Sequence, residues 1–108
     1  MYHIASAADW EQVESEYAPA RFAEEGFIHC STASQVASVA AARFRGRHDL
    51  VLLSIDPERV DVEIRYENLE GGTELFPHIY GSLNLGAVLA AQMLFVSDDG
   101  HMEIGGHR

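Results

Sequence analysis

Hydrophobic spacing divides the chain into a helical opening and a longer strand-rich remainder. The opening "YHIAS" (residues 2–6) reads as a short first strand, and Ser6 then stands where a helix cap belongs, with Asp9 three residues on. Trp10, Val13 and Tyr17 recur at helical spacing, which predicts a helix over residues 7–17, stopped by Pro19. "GFIHC" (26–30) reads as a second strand. "TASQ" (32–35) has the Thr-x-x-Gln form of a capping box, with Thr32 as cap, ahead of a second helix whose Val36, Val39, Ala40 and Phe44 share one face. Gly46 ends that helix.

From there the period changes. "LVLLSI" (50–55) is apolar almost throughout, as a central strand covered on both faces would be. Asp56 and Pro57 turn the chain. "VDVEIRYE" (60–67) alternates, sending Val60, Val62, Ile64 and Tyr66 to one face and Asp61, Glu63, Arg65 and Glu67 to the other. Gly71 and Gly72 form a turn before "ELFPHIYG" (74–81), a strand that Pro77 assigns to an edge or a bulge because proline donates no ladder hydrogen bond. "AVLAAQMLFV" (87–96) is expected as a last long strand, with a helix as the alternative. A short "HMEI" follows, and the tail from about residue 105 is expected to be mobile. The prediction is one α+β domain over residues 1–108, with two early helices packed on a small, mainly antiparallel sheet.

Composition narrows the function classes. A formal charge of −10 argues against an extended nucleic-acid surface, which needs a basic stripe, yet leaves room for a small anionic ligand at one local positive spot. The chain has no lysine, so Schiff-base chemistry and a P-loop lysine are excluded. Arg43, Arg45 and Arg47 cluster in "RFRGR" and form the candidate anion site; the alternative is a solvated helix end whose cations favour the macrodipole. The lone Cys30 excludes an internal disulfide, no apolar run approaches a membrane span of about 20 residues, and the first residues lack a signal-peptide pattern. A cytoplasmic location and no membrane partner are therefore expected.

The histidines carry the chemistry. His48, His101 and His107 fall in turns or the tail and are expected at the surface. His3, His29 and His78 each lie inside or at the end of a predicted strand among apolar neighbours. One such histidine would be a half-buried ring with satisfied nitrogens; three of them would line one cleft if their strands lie side by side. Glu67 adds a carboxylate at the end of the alternating strand, Tyr80 and Tyr2 add hydroxyls, and Ser31 and Thr32 read as helix caps. Cys30 adjoins His29, but neighbouring strand residues point to opposite faces, so no thiolate–imidazole pair is expected. Three histidines with Glu67 would also suit a zinc site, although the helical His-x-x-x-His spacing is absent.

The stretches "MYHIAS", "EGFIHCSTASQ", "DLVLLSID", "RYE" and "LFPHIYGSLNL" together resemble the small bacterial family known as domain of unknown function 952, over nearly the whole chain. That resemblance implies an ADP-ribosyltransferase-like fold, a split and strongly bent pair of small sheets around a cleft for a nicotinamide dinucleotide. Within that superfamily the pattern is similar to RNA 2′-phosphotransferases. Those carry a first-strand histidine, a His-hydrophobe-Ser/Thr motif opening a helix, an arginine near the helix end, and a strand of the "LLSID" type. Here His3, His29 with Ser31, Arg43 and "DLVLLSID" follow in that order. Ile4 and Ala5 stand where those enzymes have Gly-Thr, and their basic lobe is missing, which points away from RNA and toward a small nucleotide-like ligand. The implied cofactor is NAD, with His3, His29, Ser31, Arg43 and Tyr80 as ligand contacts, His29, His78 and Glu67 as catalytic groups, and no metal. Two rival readings are a non-catalytic module on the same fold, binding a protein or metabolite, and a His-based metal-dependent hydrolase.

Overall fold

The apolar run at residues 50–55 organises the architecture. The computed structural model describes residues 1–107 and forms this run as β4 (Leu50–Ile55), with antiparallel partners on both sides. One is β1 (Tyr2–Ser6), which sets His3 opposite Leu53 and Ala5 opposite Val51. The other is β8 (Val88–Val96), which pairs in turn with β9 (Met102–His107). Alternation along β4 sends Val51, Leu53 and Ile55 to one core and Leu50 and Leu52 to another, and all five are buried. Both faces are covered, so the strand has no polar alternation to show.

Over the Leu50 and Leu52 face packs α3 (Val36–Arg43) through Val36 and Ala40. Against the other face lies a set of short strands. β6 (Phe76–Ile79) sits between β3 (Ile28–His29) and β5 (Ile64–Glu67), and a two-residue pairing joins β2 (Glu16–Tyr17) to β7 (Leu83–Asn84). Tyr17, Ile28, Ile79 and Leu83 meet Val51, Leu53 and Ile55 in one cluster. Reciprocal 2.8 Å backbone hydrogen bonds between Tyr2 and Ser31 splice β1 to the chain just past β3. The edge carrying His3 is thereby fastened to the segment carrying His29. The result is an α+β domain built on antiparallel pairings.

Several local expectations give way to tertiary structure. The first helix, α1 (Ala7–Glu11), is capped by the Ser6 hydroxyl, which accepts from Asp9 N at 3.1 Å, but it ends at Glu11 instead of reaching residue 17. Tyr17 is drawn out of helical register to pair with Leu83 and to bury its ring, and the intervening Glu14, Ser15 and Glu16 offer no apolar face to hold a helix. A single turn, α2 (Phe22–Glu25), closes on Gly26 and makes three α-helices among the described residues instead of two. It has no periodicity to read. Half of the capping box forms: Gln35 Oε1 accepts from Thr32 N at 3.0 Å, while the Thr32 hydroxyl turns to Ser34, and the helix begins only at Val36. Gly46, in a left-handed turn (φ 75°), lets the chain leave α3 where a Cβ would sit 2.8 Å from Asp98 Oδ1.

On the strand side, β5 starts at Ile64, and Tyr66 is exposed instead of joining the apolar face. β6 is the middle strand of its sheet and not an edge. Pro77 is tolerated because its carbonyl accepts from Cys30 N at 3.0 Å, so its missing N–H falls on the same side, just past the end of the two-residue β3. Residues 88–96 form a strand, not a helix, with Ala87 closing the 3-10 turn before it. The expected mobile tail is instead part of β9 as far as His107; Arg108 and the His107 side chain lie outside the described residues.

Leu53→Ala empties a fully buried position between β1 and β8 and is expected to lower stability by about 2–5 kcal/mol. Leu75→Ala, at a position 56 % exposed, is expected to stay within about 0.5 kcal/mol of wild type. Urea unfolding of the two variants checks the contrast; equal losses would contradict the assigned core.

Candidate functional site

Splicing β1 to β3 leaves a cavity of about 660 Å³ between β1, the segment around residues 17–31, the end of α3 and the residues following β5. His3, His29 and His78 all line it, as do Ser31, Arg43 and Glu67. Six of the seven residues singled out in the sequence therefore share one concavity. Tyr80 is the exception; it stands behind the wall.

His3 is the most constrained of the three rings. Its Nδ1 lies 2.6 Å from the His29 carbonyl and its Nε2 lies 2.8 Å from the Tyr17 hydroxyl. A carbonyl can only accept, so Nδ1 carries the proton and Nε2 accepts from Tyr17. Burial pushes the His3 pKa down to about 4, opposed by the His29 carbonyl, and pushes the Tyr17 phenol well up. Each stays in the protonation state the pair requires. The same residues explain why Tyr17 abandons the helix: its hydroxyl supplies the second partner of a buried imidazole. With both nitrogens engaged, His3 ties β1, β2 and β3 together instead of offering a nitrogen to a ligand.

His78 and Glu67 form a second unit. His78 is buried at the centre of β6, opposite His29 on β3 and Arg65 on β5. Its Nδ1 lies 3.0 Å from Glu67 Oε1, and the Tyr80 hydroxyl donates to that same oxygen. The Tyr80 and His78 hydrogen bonds hold the Glu67 carboxyl below its ordinary pKa, while the carboxylate holds the Tyr80 phenol above its own. Phe27 packs on His78 at 4.6 Å between ring centroids and on Tyr80 at 5.3 Å, and the Arg65 guanidinium stacks 4.3 Å above Tyr80. Glu67 thus faces the cavity instead of remaining on a solvated strand face.

His29 is exposed, edge-on to His78 at 5.3 Å, with Nε2 3.0 Å from Glu25 Oε2 one helical turn earlier in sequence. That hydrogen bond keeps the Glu25 carboxyl low. Of the clustered arginines, Arg43 lines the cavity and pairs with Glu70 from the loop after β5. Arg47 lines it too, but grips Asp49 through two bonds of 2.9 and 2.8 Å, which raises the Arg47 pKa and lowers that of Asp49. Arg45 instead donates to the Ala41 carbonyl.

Sequence reading missed Tyr17, Arg21, Glu25 and Glu70. Tyr17 had been absorbed by helical spacing, and Arg21, Glu25 and Glu70 sit in short irregular segments with no pattern of their own. Cys30 is sealed, and burial pushes its thiol up to about 12, so it supplies no thiolate. Among the described residues no three His, Cys, Asp or Glu side chains group as a metal site, so the zinc arrangement does not form. His48 and His101 are exposed as expected. No described helix is long and apolar enough to cross a membrane.

Three comparisons bear on this geometry. Residues 4–91 match the model of a family described as protein of unknown function, DUF952. The crystal structure of protein CC0527 from Caulobacter crescentus is similar, with 32% identity, a TM-score of 0.80, and coverage of 94% of this chain and 91% of that one. A solution NMR structure of the same protein gives 33% identity and a TM-score of 0.75, covering 93% and 88%. No curated protein matches the chain.

The His3 arrangement predicts an acid-labile fold. Between its ordinary value of 6.5 and about 4, the unfolded chain binds a proton that the native state refuses, so stability falls as pH drops through that window. At about 1.36 kcal/mol per pH unit the loss amounts to about 3 kcal/mol. Below about 4.5, protonation of Glu25 and Glu67, whose native pKa values are lowered, adds to it. His3→Gln keeps a donor and an acceptor but cannot titrate, so its stability is expected to change far less between pH 6.5 and 4. Parallel loss in both proteins, measured by urea unfolding, would contradict the assignment.

Proposed function

The chain belongs to the DUF952 family, and we propose that its cavity binds a phosphorylated nucleoside, with NAD and ADP-ribose as the parent ligands. One observation carries the reading: imidazoles and a guanidinium from segments distant in sequence line a single cavity of about 660 Å³, in a chain whose overall charge is −10. An anionic ligand gains nothing from such a protein at long range. It needs a local cationic contact, and Arg43, with Arg21 also on the cavity wall, supplies that contact. In this reading His29 and Ser31, both on the cavity wall, meet ribose or phosphate oxygens, and His78 with Glu67 provides a polar, acid–base-capable wall.

The ADP-ribosyltransferase-like fold and ADP-ribosyl transfer are the finer form of this proposal, resting on the order of motifs in the sequence. Binding of a nucleotide-like ligand without chemistry is a second reading. It is favoured by His3, whose nitrogens are both committed to holding strands together. No protein partner and no metal is needed for either, and a reducing cytoplasm suits the free Cys30.

In the absence of ligand the anion-binding group is already occupied. Glu70 takes the place on Arg43 that a phosphate would occupy. Isothermal titration with ADP-ribose is expected to show binding to wild type, roughly tenfold weaker binding for Arg43→Ala, and up to about fivefold stronger binding for Glu70→Gln, the limit set by an exposed ion pair. Absence of any heat with wild type at millimolar ADP-ribose or NAD would contradict the proposal.

A further inference from the structure

Three imidazoles reach the cavity, but their nitrogens are not equally available. His3 uses both. His29 commits Nε2 to Glu25 and keeps Nδ1 free among the described residues, but its ring is exposed and only loosely held. His78 commits Nδ1 alone, to a carboxylate that can only accept; Nδ1 therefore carries the proton, and in the neutral ring Nε2 keeps a bare lone pair. No described side-chain nitrogen or oxygen is sealed from solvent without a partner, so the unpartnered Nε2 keeps an opening, on a ring that lines the cavity.

We propose that His78 Nε2 is the proton acceptor for a hydroxyl of the bound ligand, with Glu67 and Tyr80 as positioning residues. The inference rests on the reading that the cavity takes a hydroxyl-bearing phosphorylated nucleoside. In the step itself an O–H bond of the ligand breaks and an Nε2–H bond forms. The electron pair stays on oxygen, which remains hydrogen-bonded to the new Nε2–H. The imidazolium is balanced by the Glu67 carboxylate, 3.0 Å from Nδ1. Return of the proton from Nε2 to that oxygen restores the ring, so the transfer balances without an outside reactant.

The surroundings suit that role. The Tyr80 hydroxyl and His78 Nδ1 converge on one oxygen, Glu67 Oε1, which fixes the carboxylate. Phe27 and His29 pack against the His78 ring and oppose its rotation. A carboxylate set behind an imidazole selects its tautomer, the task a general base requires of its supporting group. Cys30, the one thiol on the wall among the described residues, is buried in the core and donates its backbone N–H to Pro77.

Long-range proton–nitrogen NMR on histidine-labelled protein, at a pH where the rings are neutral, reads the tautomer directly. The expected wild-type result is His78 protonated at Nδ1, with Nε2 moving when ADP-ribose is added. Glu67→Ala is expected to release the ring to the tautomer mixture of a free imidazole. Tyr80→Phe keeps the ring packing should Glu67→Ala fail to fold, and is expected to weaken the Nδ1–H preference. A wild-type ring protonated at Nε2 would overturn the proposal. So would ADP-ribose signals at His29 and Arg43 with Nε2 of His78 unmoved, which would leave the binding reading standing. Silence at all three residues would overturn both.

Discussion

A neutral imidazole buried between two obligatory partners is the constraint from which the rest of the structure follows. His3 donates to the His29 carbonyl and accepts from Tyr17, so β1, β2 and β3 meet at one ring. Leaving either nitrogen unpaired in that interior would cost about 1–3 kcal/mol, and the chain arranges itself to avoid it. Tyr17 leaves helical register, α1 is cut short, and Tyr2 and Ser31 exchange backbone hydrogen bonds beside the same junction. The cavity is the space this junction holds open.

Electrostatics inside the cavity then follow a common pattern: two arginines and two histidines on its wall each meet a carboxylate. Arg43 meets Glu70, Arg47 meets Asp49, His29 meets Glu25, and His78 meets Glu67. Most of these pairs are exposed and contribute little to stability. They keep the groups oriented, and an exposed pair such as Arg43–Glu70 exchanges partners at small cost. The His78 pair differs, because its ring is buried and its carboxylate is shared with Tyr80. Rigid geometry is concentrated there, and adaptable geometry at the arginine rim.

Much of this was legible in the sequence, for identifiable reasons. An unbroken apolar run could only be a doubly covered strand, and β4 is one. Histidines at strand ends, repeated three times, pointed to a shared cavity wall, since strands fix side-chain direction. What stayed hidden depended on partners far away in sequence. Tyr17 reads as a helical residue until Leu83 and His3 claim it. Pro77 argues for an edge until the shortness of β3 removes the objection. The residues 105–107, rich in glycine, look like a loose tail until β8 provides a strand to pair with. His3 itself was foreseen at the site but not its double engagement, which no local pattern encodes.

The most direct test is a crystal structure of the protein grown with ADP-ribose. The account predicts phosphate density against the Arg43 guanidinium, Glu70 withdrawn from it, a ligand hydroxyl within hydrogen-bond distance of His78 Nε2, and the His3–Tyr17 contact unchanged. Ligand density on another surface, or a cavity left empty with Arg43 and Glu70 still joined, would contradict it.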